Sequence, residues 1–322
     1  MDYRFLGRTG LKVSELCLGT MQFGWMASEE LSYRILNAAF DAGINFIDTA
    51  DVYSRWVEGN AGGVAETIIG NWMKSNTFSR HQVVIATKVR SRVGDGPNDE
   101  GLSRVHIVEA VEASLRRLNT DYIDLYQAHW PDEHTPIEET LRAFDDLVHQ
   151  GKVRYIGASN YPAWRLTEAL WTSEHYNLTR YETLQPHYNL VHRAEFEREL
   201  ADVSRKYSLG VLPYSPLAAG FLSGKYRKGE VVESARAGRA NRYATERNWA
   251  LLAQLEQTGI DKGGNSISQV ALAWLLSDPL ITSPIIGPRS LEQLKDNLGA
   301  VGLRLTQVEK KLLDELSRWE ET

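Results

Sequence analysis

The strongest constraint on the fold is a regular alternation of short apolar runs with longer helical patterns along almost the whole chain. The runs, eight in number, are SELCLG (14–19), INFID (44–48), VVIATKV (83–89), DYIDLYQAH (121–129), VRYIGAS (153–159), ETLQP (182–186), LGVLPYS (209–215) and ITSPIIG (281–287). Each run is nearly continuously apolar, as expected for a strand that is buried on both faces of a parallel sheet.

Helical patterns follow these runs. They lie between Ser28 and Gly43 and near 64–75, 103–118, 136–150, 162–175, 193–207 and 290–299. Ser28 and Ser103 are suited to cap the starts of their helices, and Gly43 and Gly151 are suited to end the helices before them. Eight strand–helix units of this kind predict a closed α/β barrel, the (β/α)8 TIM barrel.

A doubly wound open sheet is the alternative architecture. It would be expected to carry a glycine-rich dinucleotide loop after its first strand. The segment LGTMQFGW (18–25) does not match that pattern, so the barrel is favoured.

Three segments fall outside the eight units. YRFLGRTGLKVS (3–14) predicts an N-terminal β-hairpin, and TQVEKKLLDELSRWEE (306–321) predicts an extra C-terminal amphipathic helix. The stretch from Pro216 to Thr245 is rich in Gly, Ala, Lys and Arg and predicts a long loop after strand seven. We expect residues 1–322 to form one barrel domain.

Charge and cysteine content narrow the classes of function. The chain has 36 Lys and Arg against 42 Asp and Glu, a net charge of −6, which gives no support for nucleic-acid binding. The lone Cys17 excludes an internal disulfide and fits a reducing compartment.

No apolar run approaches the roughly 20 residues that span a bilayer, and no apolar signal-peptide block stands near the start. We therefore expect a cytoplasmic protein with neither nucleic-acid nor membrane partners, and the oligomeric state stays open.

Polar side chains stand at the carboxyl ends of the predicted strands, where barrels of this kind carry their chemistry. Asp48 ends strand two, Lys88 lies within strand three, and His129 ends strand four. A strand-end Asp often caps the next loop, and a strand-end His often has a structural role. Lys88 is harder to explain in that way, because an ammonium among apolar residues requires a carboxylate. Asp48, on the neighbouring strand, is the natural partner.

Tyr53 follows Asp48 by five positions in NFIDTADVY (45–53). A free phenol has a pKa of about 10 and is a poor acid at neutral pH. A nearby Lys88 ammonium is expected to lower that pKa toward the working range. With His129 placed to hydrogen-bond a carbonyl, the set predicts carbonyl reduction, in which hydride reaches carbon and the phenol supplies a proton to oxygen.

Asp48, Tyr53, Lys88 and His129 resemble the catalytic tetrad of the aldo-keto reductases. Six stretches also look like that family: GINFIDTADVY (43–53), IATKV (85–89), LYQAHWPD (125–132), GKVRYIGASNY (151–161), YSPLAAGFLSGKY (214–226) and IIGPRSLEQLKDN (285–297). The resemblance covers essentially the whole chain. The order of motifs is similar to the bacterial and potassium-channel-β-like branch of the family.

The resemblance implies NADP(H), bound in extended form across the barrel mouth without a Rossmann loop. The residues implied for the nicotinamide half are Gly19, Thr20, Met21 and Asp48, with Ser159, Asn160 and Gln185 on the carboxamide and Tyr214 stacked on the ring. Those implied for the pyrophosphate are Ser215, Pro216, Leu217, Ala218, Gly220 and Lys225.

By the same resemblance, Gly287 ends the last strand, Arg289 and Ser290 hold the adenosine 2′-phosphate, and Gln293 and Asn297 meet the adenine. A helix N-terminus favours anions, and an arginine fork suits a phosphate, which favours NADP over NAD. The alternative is a solvated helix start.

The loop after strand seven has two interpretations. Either it is a flexible clamp in which one of Arg236, Arg239 or Arg242 contacts a cofactor phosphate, or it is a solvated loop.

Trp25, Trp56 and Trp130 each follow a strand end or a catalytic residue, so they are placed either to wall an apolar substrate pocket or to pack internally. Such a pocket suits a small or medium aldehyde or ketone.

The predicted function is NADPH-dependent reduction of aldehydes or ketones to alcohols, with Tyr53 as general acid and no metal. Two alternatives stay open: a dehydrogenase that oxidises an alcohol or sugar, and a redox-sensing module with negligible turnover. The physiological substrate and stereoselectivity are not predicted.

Overall fold

The computed structural model describes residues 1–229 and 237–320. A short antiparallel hairpin, β1 (Tyr3–Phe5) and β2 (Lys12–Ser14), precedes an eight-stranded parallel sheet. The strands of that sheet are β3 (Cys17–Gly19), β4 (Phe46–Asp48), β5 (Val84–Val89), β6 (Ile123–Ala128), β7 (Val153–Ser159), β8 (Tyr181–Gln185), β9 (Gly210–Val211) and β10 (Ile285–Ile286).

The sheet closes on itself as a (β/α)8 barrel. From β3 to β9 each strand pairs with the next one along the chain, and β10 returns to pair with β3. Hydrogen bonds join the two remaining edges, from the Thr282 N–H to the Val211 carbonyl at 2.9 Å and from the Ile285 N–H to the Pro213 carbonyl at 2.8 Å. The predicted barrel is confirmed, and the doubly wound alternative is wrong.

Helices surround the barrel: α1 (Glu29–Asp41), α2 (Val64–Ser75), α3 (Arg104–Leu118), α4 (Ile137–His149), α5 (Ala163–Tyr176), α6 (Ala201–Tyr207), α7 (Ala237–Ala240), α8 (Glu246–Asp261), α9 (Ile267–Leu276), α10 (Leu291–Leu298) and α11 (Gln307–Leu316). The Ser28 and Ser103 hydroxyls cap α1 and α3 by accepting from the Leu31 and His106 N–H groups, as predicted. In the described part of the chain, no helix is both long and apolar enough to cross a bilayer.

Several predicted boundaries differ from the structure. The strands expected at 209–215 and 281–287 shrink to two residues each, because Pro213 and Pro284 have no N–H for a sheet ladder. The predicted helix near 193–207 begins with a π-helical turn, Phe196–Leu200, that leads into α6. The seventh unit carries two packed helices, α8 and α9, which the sequence interpretation did not place.

The hairpin covers the amino-terminal end of the barrel. Leu6 and Val13 are fully buried there against the barrel interior. Gly7 has φ +59°, and a Cβ on it would lie 2.6 Å from the backbone nitrogen of Gly210, so only glycine fits this contact without strain. With that end filled, the carboxyl ends of the strands form the open mouth.

Candidate active site

Lys88 lies inside the barrel and donates three hydrogen bonds. Its Nζ is 2.5 Å from Asp48 Oδ1, 2.8 Å from the Thr49 carbonyl and 3.0 Å from the Tyr53 hydroxyl. The parallel pairing of β4 with β5 aligns Asp48 with Ala86, so Lys88 lies beyond the end of β4 and beside the loop that carries Tyr53. The predicted pairing of Lys88 with Asp48 is therefore present, and all three ammonium hydrogens have acceptors.

Asp48 is held from its other side by two amides. Its Oδ2 accepts from Gln185 Nε2 at 2.8 Å and lies 3.4 Å from Gln127 Nε2. Both glutamines are buried. Sequence reasoning missed Gln127, although the pairing of β5 with β6 sets it directly beside Lys88. Gln127 and Gln185 thus fix the carboxylate that balances the ammonium charge.

The Tyr53 phenol is neutral at physiological pH. Burial raises the pKa of Tyr53, the Lys88 ammonium lowers it, and the Asp48 carboxylate raises it again. Lys88 therefore acts in the predicted direction, but the net shift of the Tyr53 pKa is upward and not downward as expected. Burial outweighs the ammonium because the charge of Lys88 is already matched by Asp48. The result is a phenol that carries a proton to donate.

His129 stands beside the phenol, with 6.2 Å between the two ring centroids and an interplanar angle of 72°. Its backbone is held by the Val89 carbonyl and by the Asn160 amide. Burial lowers the pKa of His129 to about 3, and the charges of Lys88 and Arg90 add to this effect. The ring is therefore neutral, and a neutral imidazole keeps one N–H, the donor that a carbonyl oxygen needs.

The Nδ1 atom of the His129 ring is buried and lacks a hydrogen-bond partner among the residues that the structure describes. Buried polar atoms in folded proteins are normally paired, and exceptions are frequent at functional sites.

A cavity of about 550 Å³ opens beside these residues and extends to the start of α10. Most of the predicted cofactor residues line it: Gly19, Thr20, Met21, Asp48, Ser159, Asn160, Gln185, Tyr214, Ser215, Pro216, Leu217, Gly220, Lys225, Gly287, Arg289, Gln293 and Asn297. Tyr53 and His129 also line it, whereas Lys88 lies behind them and is fully buried. Residues from distant parts of the sequence thus meet in one groove across the barrel mouth.

Two predicted cofactor residues, Ala218 and Ser290, do not line the cavity. Ala218 is fully buried, and Ala219 faces the cavity instead. The backbone of this segment has positive φ at Ser215 (54°), Ala218 (48°) and Ala219 (55°), conformations that are strained for side chains other than glycine. The Ser290 hydroxyl caps α10 by accepting from the Gln293 N–H.

Other cavity residues were missed by the sequence interpretation. Gln22 joins the first loop to the last, since its Nε2 donates to the Gly19 carbonyl at 2.9 Å and to the Pro288 carbonyl at 2.7 Å. Ser268 reaches the cavity from the first turn of α9, a helix that the sequence interpretation did not place. The remaining missed lining residues are Met26, Ala219, Ser223, Ile285, Ile286, Pro288, Glu292 and Asp296. Of these residues, Glu292 and Asp296 alone carried a sequence signal, because they are four positions apart, as are the predicted Gln293 and Asn297.

Arg289 lines the far end of the cavity, just before α10. Its backbone N–H donates to Gln293 Oε1 at 3.0 Å. Its guanidinium forms neither an ion pair nor a side-chain hydrogen bond within residues 1–229 and 237–320. A guanidinium without a partner at a helix N-terminus is well suited to bind an anion.

The three predicted pocket tryptophans separate into two groups. Trp130 lines the cavity, whereas Trp25 and Trp56 lie beside it. Trp56 packs edge-on against Trp25 at 5.6 Å and against Tyr53 at 6.2 Å between ring centroids. Trp56 therefore borders the phenol, with Trp25 packed against Trp56, and a substrate contact by either ring stays a prediction.

The predicted loop arginines are only partly described. Arg236 and the side chain of Arg239 lie outside the described residues. Arg242 is exposed and does not line the cavity. The contact of one of them with a phosphate stays a prediction.

Comparison with known proteins agrees with this arrangement. Residues 15–318 match the model of the Aldo/keto reductase family. The uncharacterized oxidoreductase YrpG of Bacillus subtilis (strain 168) is 42% identical over 98% of this chain and 96% of its own length. Proteins described as "probable voltage-gated potassium channel subunit beta" in Oryza sativa subsp. japonica and Arabidopsis thaliana are 38% and 37% identical, each over 94% of this chain and 91% of their own lengths.

Proposed function

The chain belongs to the aldo/keto reductase family, which carries out NAD(P)H-dependent oxidoreduction of carbonyls, and we propose that it reduces aldehydes or ketones to alcohols with NADPH. The observation that carries this proposal is the contact of Lys88 with both Asp48 and Tyr53 at one end of the cavity. In this proposal residues 1–322 act as one cytoplasmic barrel domain on a small-molecule substrate.

Tyr53 is the general acid of the proposed reaction. NADPH, when bound, would supply a hydride for the carbonyl carbon, and the Tyr53 hydroxyl supplies the proton that reaches the carbonyl oxygen. Loss of that proton leaves a phenolate 3.0 Å from Lys88 Nζ, where the ammonium stabilises it. The raised pKa of the phenol suits a donor, because the proton is present at neutral pH and is transferred as negative charge develops on the substrate oxygen.

Asp48 keeps Lys88 charged in this proposal. Burial alone would lower the pKa of Lys88, but the Asp48 carboxylate and the Tyr53 phenol outweigh it and raise that pKa. The ammonium therefore stays charged throughout the reaction. Asp48 is a positioning residue, since it acts on the substrate through Lys88.

His129 is the proposed carbonyl-orienting residue. Its neutral ring lies beside Tyr53 and faces the same cavity. A hydrogen bond from its N–H to the substrate oxygen would hold that oxygen against the phenol. Hydrogen bonds from both His129 and Tyr53 would fix the position of the substrate oxygen and align it with the proton of the phenol.

The cavity residues fit NADPH. Tyr214 presents an aromatic ring whose hydroxyl donates to Asn160 Oδ1 at 2.8 Å, which fixes the ring as a surface for stacking. Ser159, Asn160 and Gln185 would hold the carboxamide, and Ser215 to Leu217 with Gly220 and Lys225 would hold the pyrophosphate. The Arg289 guanidinium at the start of α10, which has no side-chain partner among the described residues, supports recognition of the 2′-phosphate, and hence NADPH over NADH.

The test is NADPH consumption by the purified protein against a panel of aliphatic and aromatic aldehydes and ketones. NADPH binding is measured in parallel by fluorescence. We expect turnover of at least one carbonyl. Tight NADPH binding without turnover of any carbonyl would favour the sensing module, and faster oxidation of alcohols with NADP⁺ would favour the dehydrogenase.

A further inference from the structure

Two histidines and a glutamate gather in the loop after β8, next to the cavity but outside it. His187, His192 and Glu195 each offer one ligand atom, and these atoms all lie within 4.8 Å of one another. The two imidazole rings stack with centroids 3.8 Å apart at 21°, and His192 Nε2 lies 2.8 Å from Glu195 Oε2. The proposed reaction uses none of these three side chains.

The loop backbone holds the three side chains in place. Asn189 and His192 exchange backbone hydrogen bonds in both directions, at 3.2 and 3.0 Å. The Asn189 amide also donates to the Ser215 carbonyl at 3.0 Å, which ties the loop to the segment after β9. His187 stacks on Tyr214 at 5.0 Å between ring centroids and 11° between planes. The imidazoles are therefore set by the fold rather than free to rotate into solvent.

The electron pairs of these ligands are available. Within the part of the chain that the structure describes, His187 Nε2 has one hydrogen-bond contact, a long one of 3.4 Å to the Asn189 amide, which is too weak to compete strongly for its lone pair. The contact with His192 engages Oε2 of the Glu195 carboxylate.

We propose that His187, His192 and Glu195 form a binding site for a divalent transition-metal ion of the Zn²⁺ type, with water completing the coordination. Two imidazoles and one carboxylate are ligands that Zn²⁺ accepts, whereas Mg²⁺ and Ca²⁺ favour oxygen alone. Metal–ligand bonds of about 2.0–2.2 Å place ligand atoms roughly 3.5 Å apart. Separations of up to 4.8 Å within the cluster must therefore shorten, and the 2.8 Å contact of His192 Nε2 with Glu195 Oε2 must lengthen. The Glu195 side chain is 54% exposed and can move, and that exposure also leaves a route for the ion.

The sequence did not predict this site. Two residues separate His192 from Glu195, which suits one helical face, but four residues separate the two histidines, a spacing that matches no regular helix or strand face. The ligands meet only because the loop turns back between Asn189 and His192.

The experiment is a titration of the full chain, prepared without a histidine tag, with Zn²⁺ alone against a chromogenic chelator. We expect a single tight equivalent of Zn²⁺, and Co²⁺ should give the visible absorption of a low-coordinate nitrogen and oxygen site. His192→Ala should weaken Zn²⁺ binding at least tenfold, and Glu195→Gln should weaken it while keeping the surface shape. Equal binding of Mg²⁺ at the same stoichiometry would contradict the transition-metal character.

The matched control is His81→Ala, since His81 is exposed and belongs to the short 3₁₀ turn Arg80–Gln82 on another part of the molecule. It should bind Zn²⁺ as the wild type does. Near-ultraviolet circular dichroism of each variant verifies that the fold is intact. The proposal is overturned if the wild type binds no stoichiometric Zn²⁺, or if folded His192→Ala and Glu195→Gln bind it with unchanged affinity. Neither outcome bears on carbonyl reduction, which is measured separately.

Discussion

Lys88 Nζ lies 2.5 Å from Asp48 Oδ1, and both side chains are almost completely shielded from solvent. A buried ammonium without a carboxylate is strongly destabilising, and so is a buried carboxylate without a cation. The pair is therefore a structural requirement of the barrel interior as well as the support of the phenol that Lys88 contacts.

Replacement of Asp48 by Asn should destabilise the fold. It leaves the Lys88 charge buried without its counter-ion, which costs about 3–5 kcal/mol in the free energy of unfolding. Urea denaturation at neutral pH measures this quantity. The double variant Asp48→Asn/Lys88→Met should regain much of the loss, because no buried charge is left.

The matched control for that prediction is Asp202→Asn, which removes the exposed partner of Arg205. Exposed pairs contribute no more than about 1 kcal/mol. A single Asp48→Asn variant as stable as the control, or a double variant less stable than the single one, would be incompatible with the buried pair as described.

His129 should make the fold less stable in mild acid. Its pKa is about 3 in the folded chain, below the ordinary value of about 6.5 in the unfolded one. Between these values the unfolded chain binds a proton that the folded chain does not, so stability falls as pH decreases. From pH 7 to pH 5 this effect amounts to about 2 kcal/mol.

The comparison of wild type with His129→Gln isolates this contribution, because every other titrating group is shared. The free energy of unfolding should fall more steeply with decreasing pH in the wild type. Parallel pH dependences in the two proteins would show that the ring is not held neutral by burial.

Arg289→Ala should discriminate between the two nicotinamide cofactors. The loss of a charge-assisted hydrogen bond to phosphate corresponds to roughly a tenfold to hundredfold weaker binding of NADPH. NADH lacks that phosphate, so its affinity should change little. Lys295→Ala, which removes an exposed cation of α10 that does not line the cavity, is the control. Equal losses for NADPH and NADH in Arg289→Ala would remove the argument for 2′-phosphate recognition.

Trp130→Ala should weaken the binding of aromatic carbonyls without affecting the cofactor. Trp130 lines the cavity near His129. The loss of an aromatic contact predicts an increase in KM of about threefold to tenfold for an aromatic aldehyde, with the dissociation constant of NADPH unchanged. Trp164→Ala on α5, a position 67% exposed, serves as the control. An unchanged KM for aromatic substrates would place their binding elsewhere.

The sequence predicted the barrel and the four residues at its centre because both depend on local pattern. The apolar runs mark the strands, and helix α2 occupies the predicted residues 64–75. A lysine within an apolar strand demanded a carboxylate, and the adjacent strand offered Asp48. Such inferences need only strand order and the parallel register.

Other features depend on tertiary structure and were missed or wrong. The direction of the Tyr53 pKa shift depends on how deeply the ring is buried, which no local pattern shows. Ala219 lines the cavity where Ala218 was expected, because the backbone has positive φ at both residues. Helices α8 and α9 lie beyond the loop predicted for 216–245, in a part of the seventh unit where the sequence interpretation placed no helix.

The most direct test of the central claim is the rate of carbonyl reduction by Tyr53→Phe under NADPH saturation. The variant keeps the ring but removes the proton that the phenol donates. We predict a fall in turnover of roughly a hundredfold to ten-thousandfold, while the dissociation constant of NADPH stays within about twofold of the wild type. Tyr33→Phe, which removes a surface hydroxyl bonded to Glu29, should reduce carbonyls at the wild-type rate. Turnover by Tyr53→Phe equal to that of the wild type would contradict the proposal that Tyr53 is the general acid.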